Sequence, residues 1–233
     1  MSSRFQATRW SMIHSAAAAE DGERQRAWEE FDHLYRGPLL VFIRRCGCPG
    51  DRAEDLLQSF LSVVAERNWL AEADPERGKM RTFLLTRLKR HLNDARKHDQ
   101  ALKRGGGTES VDFDEVSAVL ADPGSERKAE SEFDRAWAKA ILDRTLRSLE
   151  ESSEARGTGE VFRLLKGQIT GGSEEKLGAV AATLQQSEGA VRMRLQRLRE
   201  EFRKRLRAEV AETLLPDEDV SEEMRYLAQV LSE

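Results

Sequence analysis

Cysteine and proline are scarce in this chain of 233 residues, which contains two cysteines and five prolines. The cysteines, Cys46 and Cys48, are separated by one residue, so a disulfide between them would be strained and a disulfide framework is excluded. β-Branched residues are sparse and aromatic residues make up only 6% of the chain. Because long strands favour both residue types, we expect an all-α fold.

Long hydrophobic runs are also missing, and the N-terminus lacks the charged-then-apolar pattern of a secretory signal. We therefore expect no membrane partner and a location in a reducing cytoplasm. A zinc site formed by the two cysteines and His33 is disfavoured, because structural zinc usually takes four ligands from two well-spaced pairs. The simpler interpretation is a pair of small buried thiols, and we expect no cofactor.

Charged residues are abundant, at 34% of the chain, and they are segregated although the formal net charge is −4. The segment 79–104 has nine Lys and Arg against two acids, and 187–208 has eight against three. From residue 209 to the end there are eight acids and one arginine. Two basic blocks in an acidic chain are typical of a polyanion-binding protein, whereas solvated helix faces are the alternative.

Apolar residues recur at helical spacing through most of the chain, with Pro38 predicted to begin a new helix in its first turn. A run of three glycines interrupts this pattern. Glycine is costly inside helices, so the surrounding segment is predicted to be a flexible linker between two small helical domains. The expected divisions are an N-terminal extension over 1–23, a domain over 24–98, a linker over 99–130, a domain over 131–210 and an acidic tail over 211–233.

Two helices joined by a tight turn are predicted near the end of the second domain. Ser173 and Ser187 are the expected N-caps, and the second helix has a stripe of apolar residues from Val191 to Leu206. A basic second helix after a tight turn is typical of a helix-turn-helix, which reads bases with its first turns and contacts phosphates with the rest. An ordinary helical hairpin remains the alternative.

Three stretches together resemble bacterial RNA polymerase sigma factors of the extracytoplasmic-function type, in the sigma-70 family. DRAEDLLQSF (51–60) resembles the polymerase-docking helix, and MRTFLLTRLKRHLNDARK (80–97) resembles the helix that recognises and opens the minus-10 promoter element. LGAVAATLQQSEGAVRMRLQRLREEFRKRL (177–206) resembles the reader of the minus-35 element. Shorter pieces, such as RTFLLTRLK and KRGGG, are similar to planctomycete members of the family.

The resemblance implies a sigma factor that binds core RNA polymerase, at its β′ clamp helices, and promoter DNA. It is not itself an enzyme, and an anti-sigma factor or its own acidic tail is a possible inhibitor. The expected polymerase-binding residues are Asp55, Leu56, Gln58 and Ser59. Those expected at the minus-10 element are Arg87, Arg90, Asn93, Arg96 and Lys97. Those expected at the minus-35 element are Ser187, Glu188, Gly189, Arg192, Arg194, Arg197 and Arg199.

The sequence departs from the family at three places. Phe83 replaces the usual tryptophan of the minus-10 helix, and Arg90 replaces an asparagine. Gln185-Gln186 replaces a glycine-hydrophobic pair in the tight turn, where glycine suits a positive φ. Trp69, before the basic helix, is either a core anchor or a platform for an unpaired base.

Two other classes of protein remain open. A conventional helix-turn-helix regulator would bind duplex DNA without polymerase, and a helical interaction protein would show no salt-dependent DNA affinity. Catalysis by the carboxylates of 51–55 is disfavoured, because no histidine lies near them in sequence.

Overall fold

The computed structural model describes residues 21–48, 50–67, 69, 79–104, 114–171, 177–214 and 218–232. These residues form helices and turns without strands, which confirms the all-α fold class. None of the described helices has the length and apolar character needed to cross a bilayer. Residues 1–20, most of the predicted N-terminal extension, lie outside the described residues.

Nine helices account for most of the described residues. They are α1 (Asp21–Arg45), α2 (Gly50–Glu66), α3 (Met80–Arg104), α4 (Asp114–Ala121), α5 (Pro123–Ala155), α6 (Gly159–Ile169), α7 (Leu177–Thr183), α8 (Glu188–Ala211) and α9 (Val220–Ser232).

The chain divides into two compact units, and the division falls inside α5. The first unit contains residues 1–140 together with 212–233, and the second contains 141–211. The acidic tail is therefore part of the first unit, whereas the sequence had suggested a separate segment over 211–233. Leu227 and Val230 of its helix α9 are buried, so the tail contributes apolar side chains to the core of the first unit.

The segment 99–130, expected to be a linker, is helical wherever the structure describes it. Helix α3 continues to Arg104, α4 follows, and α5 begins at Pro123. Asp122 caps α5, since its carboxylate accepts a hydrogen bond from the Ser125 amide at 2.8 Å. Val116 and Ala129 are buried, so α4 and the start of α5 gain apolar burial that the polar composition concealed. The glycine run, 105–107, lies outside the described residues.

The core of the first unit forms where α1 packs on α2 and α3 packs on α2 and α4. Its centre consists of large apolar side chains that are fully buried. Each contributes roughly 1.5–3 kcal/mol by leaving water. They include Leu39, Phe42, Ile43, Leu57, Phe60, Leu61, Leu84, Leu88 and Leu92.

Pro38 lies inside α1 rather than at the start of a new helix, so that prediction was wrong. A proline in a helix interior removes the hydrogen bond to the residue four positions earlier, here Leu34, at a cost of about 3 kcal/mol. The apolar residues on both sides of Pro38, among them Leu34 and Leu39, are buried in one core. Their burial offsets the lost hydrogen bond, and the sequence around the proline does not show this.

In the second unit, α8 packs against α6 and α7. The predicted apolar stripe of α8 is confirmed, because Val191, Leu195, Phe202 and Leu206 are buried. Leu198, the remaining member of the stripe, is half-buried. Phe162 and Leu165 of α6 are fully buried as well. The long helix α8 thus has one side fixed in a core and leaves its other sides for polar residues.

Candidate nucleic-acid interface

The helix α2 exposes three of the four residues predicted to bind polymerase. Asp55, Gln58 and Ser59 are exposed, and their spacing of three and four residues places them next to one another on the helix surface. Leu56 is only 4% exposed and packs in the core beside Leu57. We call the three exposed residues the α2 patch; Leu56 supports this patch from below and is not accessible to a partner.

The α2 patch carries a carboxylate with no ion-pair partner among the described residues, Asp55, next to an amide. The amide oxygen of Gln58 accepts a hydrogen bond from Arg36 at 3.3 Å. Arg36 is held in turn by Asp32, with its Nε 2.9 Å from the carboxylate. The amide group of Gln58 is thereby oriented with its NH2 donors available, so the patch offers both a negative charge and hydrogen-bond donors.

A groove of about 320 Å³ lies between α2 and α3, and two of the three residues of the α2 patch line it. Asp55 and Ser59 line it from α2, and His91, Asp94 and His98 line it from α3. The ring of His91 meets Phe60 edge-on, with centroids 5.6 Å apart. Burial lowers the pKa of His91, although Asp94 opposes this, so the imidazole is neutral at pH 7.

The basic helix α3 separates its predicted DNA-binding residues into an exposed row and two flanks. Leu84, Leu88 and Leu92 define the buried side. Arg90 and Lys97 are exposed on the opposite side, with half-buried Asn93 between them. Their spacing of three and four residues aligns them along one face. Arg87 and Arg96, the two remaining predicted residues, are half-buried at the flanks of this row.

Arg87 stacks on aromatic rings instead of extending freely into solvent. Its guanidinium carbon lies 4.6 Å from the ring centroid of Trp69 and 5.2 Å from that of Phe83. Arg67 lies over the same Trp69 ring at 5.9 Å, and Phe60 is 6.3 Å from it. Trp69 is half-buried, so it is an anchor that holds Arg87 in place. This contact supports the core-anchor interpretation of Trp69 and does not test base stacking.

Several cations of α3 are neutralised within the first unit, which a count of charges in the sequence could not show. Lys89 lies 2.7 Å from Glu126 and 2.5 Å from Glu130, both on α5. Lys79 and Arg81 are paired with acids of α9 and α5. The positive surface of α3 is therefore smaller than the sequence suggests, and its centre is Arg90 and Lys97.

The turn between α7 and α8 closes through the hydrogen bonds typical of a helix C-terminus. The Gln186 amide donates to the Ala181 carbonyl at 3.0 Å, and the Gln185 amide to that of Ala182 at 3.2 Å. This is a Schellman motif, in which the residue after the helix adopts a positive φ. Gln185 has a φ of 52°. The turn therefore has the geometry that glycine would favour, with a glutamine in that position.

Helix α8 begins as predicted, with Ser187 as its cap. The Ser187 hydroxyl accepts a hydrogen bond from the Ala190 amide at 3.3 Å. Glu188, Gly189 and Arg192 are exposed in the first turns. The carboxylate of Glu188 lies against α7, since a Cβ added at Gly178 would be 2.9 Å from its Oε1. The first turns of α8 thus present a charged surface next to a close approach of the two helices.

The arginines of α8 fall into two groups. Arg197 is exposed and Arg194 is half-buried, and neither has an acidic partner among the described residues. Arg199 instead donates from Nε and Nη2 to the carbonyl of Gln168, at 3.1 and 3.0 Å. Gln168 lies in the last turn of α6, where carbonyls lack partners within the helix. Arg199 therefore caps the C-terminus of α6. The sequence had suggested a contact with phosphate for this residue and did not reveal the cap.

Arg205 and Glu201 fix the second half of α8 in a similar way. Arg205 donates to the Ser148 carbonyl at 3.0 Å and to Glu201 at 2.7 Å. Arg156 also donates to Glu201 at 3.1 Å. Burial would raise the pKa of Glu201, but hydrogen bonds from Arg156 and Arg205 outweigh burial and lower it. Spacing alone could have identified the Glu201–Arg205 pair, but not the contacts with Ser148 or Arg156.

The two cysteines are buried thiols, as predicted, and both are free. Burial raises the pKa of Cys46 to about 12 and that of Cys48 to about 11. In the part of the chain that the structure describes, no three His, Cys, Asp or Glu side chains are grouped to hold a metal ion.

Comparison with known proteins gave no match to any family model, curated protein or solved structure. The functional interpretation therefore depends on the residues themselves. They supply two positively charged helices, one in each unit, and a separate patch on α2. The two helices have the charge that complements a polyanion, and the α2 patch has a carboxylate and amide donors on one exposed surface.

Proposed function

We propose that the chain is a sigma factor of the extracytoplasmic-function type, which binds core RNA polymerase and directs promoter-specific initiation. The observation that carries the proposal is the coexistence of the α2 patch with two separate basic helices, α3 and α8. A protein that only binds duplex DNA needs one such helix and has no use for the other two surfaces. As a sigma factor, the protein acts in the bacterial cytoplasm and at the nucleoid, and it catalyses no reaction itself.

The α2 patch is proposed to dock on the β′ clamp helices of the polymerase. Asp55 offers a carboxylate to a cationic side chain, and Gln58 and Ser59 add hydrogen-bonding groups. Arg36 supports this role by orienting the amide of Gln58 at 3.3 Å. Leu56 contributes only by fixing the helix in the core.

Helix α3 is proposed to hold the minus-10 element, with Arg90, Asn93 and Lys97 in contact with the DNA. Melting of the DNA needs no covalent chemistry, because binding of the flipped bases by the protein offsets the few kcal/mol of stacking that they lose. Arg87 is proposed to approach the DNA from its stacked position on Trp69. Arg96 is assigned to the opposite flank.

Helix α8 is proposed to enter the major groove at the minus-35 element. Ser187, Glu188, Gly189 and Arg192 lie in or next to its first turns, where a recognition helix meets base edges. Arg194 and Arg197 lie one to two turns further along and are assigned to phosphates. The sequence also assigned Arg199 to phosphates, but its hydrogen bonds to the Gln168 carbonyl of α6 make it a supporting residue.

The experiment is run-off transcription with core polymerase and the full-length protein on a library of promoter fragments. We expect specific transcripts from wild type and a strong reduction with Asp55→Asn. Glu54→Gln is the matched control, since it removes a neighbouring carboxylate that is paired with Arg44 at 3.1 Å. Absence of any transcript with wild type, or equal loss with both variants, would contradict the proposal.

A conventional helix-turn-helix regulator is the second candidate, and the geometry of the α7–α8 turn favours it on its own. It predicts duplex binding without any complex with polymerase. A pull-down of core polymerase with the tagged full-length protein separates the two proposals. Retained duplex binding without polymerase capture would favour the regulator.

A further inference from the structure

The start of the basic helix α3 carries positive charge that no residue of its own first turn compensates. Lys79 precedes the helix and Arg81 lies in its first turn, while no acidic residue occurs in that turn. The N-terminus of a helix carries a partial positive charge, so cations there are unfavourable unless acids lie nearby. Those acids come from α5, from α9 and from the residues just before α9.

Helix α9 supplies most of the compensating charge. Glu223 accepts a hydrogen bond from Arg81 Nη1, and its Oε2 lies 2.6 Å from Lys79 Nζ. Glu218, just before α9, lies 3.4 Å from the same Lys79. Asp134 of α5 lies 3.4 Å from Arg81 Nε. Two cations are therefore surrounded by three carboxylates, two of which come from the acidic tail.

The contact with Arg81 is buried as well as charged. Arg81 is 9% exposed and Glu223 only 3% exposed. The guanidinium carbon lies over two rings, 4.8 Å from the centroid of Trp137 of α5 and 5.4 Å from that of Tyr226 of α9. Tyr226 also donates a hydrogen bond to Asp134. Helix α9 thus covers one side of Arg81 and leaves little of its side chain accessible to an external anion.

The direction of the pKa shifts agrees with a charged pair. Burial would lower the pKa of Arg81, but the hydrogen bond and charge of Glu223 and the charge of Asp134 outweigh burial and raise it. Burial would raise the pKa of Glu223, but its hydrogen bonds from Arg81 and Lys79 lower it. Both groups therefore stay charged at neutral pH.

The tail leaves the exposed row of α3 uncovered. No acid of α9 is paired with Arg90 or Lys97 in the described ranges; Lys97 has Asp94 of its own helix as a partner, at 3.8 Å. The two cations that α9 does hold lie at the N-terminal end of the same helix. Removing α9 would therefore extend the positive surface of α3 toward its start.

We propose that α9 is an intramolecular clamp that withholds Lys79 and Arg81 from polyanions, and that its release adds both cations to the nucleic-acid surface of α3. The clamp itself depends only on the contacts above. Its use in transcription rests on the proposed function, because there the polyanion is promoter DNA. The clamp then makes DNA affinity a property that the C-terminus regulates.

The first test uses two full-length variants that each remove one carboxylate from α9. Glu223→Gln breaks the clamp, and Glu222→Gln is the matched control, since Glu222 is exposed and paired with Arg225 at 3.7 Å. We expect Glu223→Gln to elute from a heparin column at higher NaCl than Glu222→Gln, and Lys79→Gln added to Glu223→Gln to reverse part of the gain. Equal elution of the two single variants would overturn the clamp.

Loss of one partner of a buried ion pair can unfold a protein, and an unfolded Glu223 variant would not test the clamp. The second test therefore uses the wild-type protein. Coupling between two equilibria is reciprocal, so a polyanion that binds the released cations must favour release. We expect a saturating heparin oligosaccharide to accelerate amide hydrogen exchange in 220–232 of the wild-type protein, measured by mass spectrometry. Unchanged or slower exchange there would overturn the proposal.

A third measurement, on forked DNA, separates the clamp from the proposed function. If DNA meets the released cations, Glu223→Gln should steepen the slope of log affinity against log NaCl by about 1–2 relative to Glu222→Gln, because each phosphate contact contributes about 0.9. If both heparin tests give the expected results but no variant binds DNA in a salt-dependent way, the clamp is supported and the proposed function is contradicted. Salt-dependent DNA binding with equal slopes would contradict the use of the clamp on DNA.

Discussion

The turn before α8 should become more stable if Gln185 is replaced by glycine. Gln185 has a φ of 52°, in the left-handed region. That conformation costs a residue with a Cβ about 1–2 kcal/mol. Glycine avoids this strain but loses about 0.5–1 kcal/mol more chain entropy on folding than alanine does. The difference predicts that Gln185→Gly raises the free energy of unfolding of the second unit by about 0.5–1 kcal/mol.

The same motif elsewhere in the chain supplies controls. Gly157 ends α5 with a φ of 71°, and its amide donates to Glu154 while that of Thr158 donates to Ser153. Gly157→Ala should therefore destabilise the unit by about 0.5–1 kcal/mol, since the same strain and entropy terms apply in the opposite direction. Gln186→Gly tests glycine at the next position, where φ is not positive, and should give no gain.

The assay is thermal unfolding followed by circular dichroism, with amide exchange in α8 reporting on the second unit. For a domain of this size, a change of 1 kcal/mol shifts Tm by about 4–8 °C. We expect a Tm higher by about 2–8 °C for Gln185→Gly and a lower Tm for Gly157→Ala. A loss of stability in Gln185→Gly similar to that in Gln186→Gly would refute the left-handed turn.

Three further predictions concern single side chains. Arg197→Ala should lower DNA affinity in filter binding and reduce the salt slope of that affinity by about 0.9. Arg199→Ala should mainly lower the free energy of unfolding in urea, by about 1–3 kcal/mol. If Arg199 contacted phosphate and did not cap α6, Arg199→Ala would lower DNA affinity and leave the free energy of unfolding unchanged. Cys46 and Cys48 should resist a thiol reagent at pH 8 in the native protein and react after denaturation, because burial raises their pKa values to about 12 and about 11; rapid native labelling would contradict this burial. The pKa of Glu201 is lowered from its ordinary value of 4.5, so its stabilising contribution is fully present above pH 4.5 and is lost as the pH falls toward the folded-state pKa. Glu201→Gln should therefore reduce the dependence of Tm on pH between 4.5 and the folded-state pKa, and leave the dependence near pH 7 unchanged.

Apolar periodicity predicted the helices because each buries one stripe, and this information is local. The stripe of α8 and its Ser187 cap are confirmed for that reason. Pro38 shows the limit of this approach, since its tolerance inside α1 depends on burial in the tertiary structure. The helical character of 114–121 was missed because its short apolar face stood among acids and shortly after the glycine run.

Charge in the sequence predicted where cations are, but not which of them are accessible. Lys89 and Arg81 belong to the same basic block as Arg90, yet only Arg90 is exposed. Their partners, Glu126 and Glu223, are distant along the chain. Ion pairs of this kind depend on the packing of helices, so spacing along one helix could not reveal them. Arg199 belongs to the same class, because its acceptor is a backbone carbonyl of another helix.

The bonds from Arg199 and Arg205 also affect how tightly α8 can bind a ligand. They fix the second half of the helix to α6 and α5, while its first turns stay exposed. A helix held in this way is preorganised, so little of its conformational freedom remains to be lost on association. For a ligand that contacts the first turns of α8, the helix has already lost its conformational entropy during folding. If either arginine were loosened, α8 would instead lose that entropy when the ligand binds, and the affinity would fall.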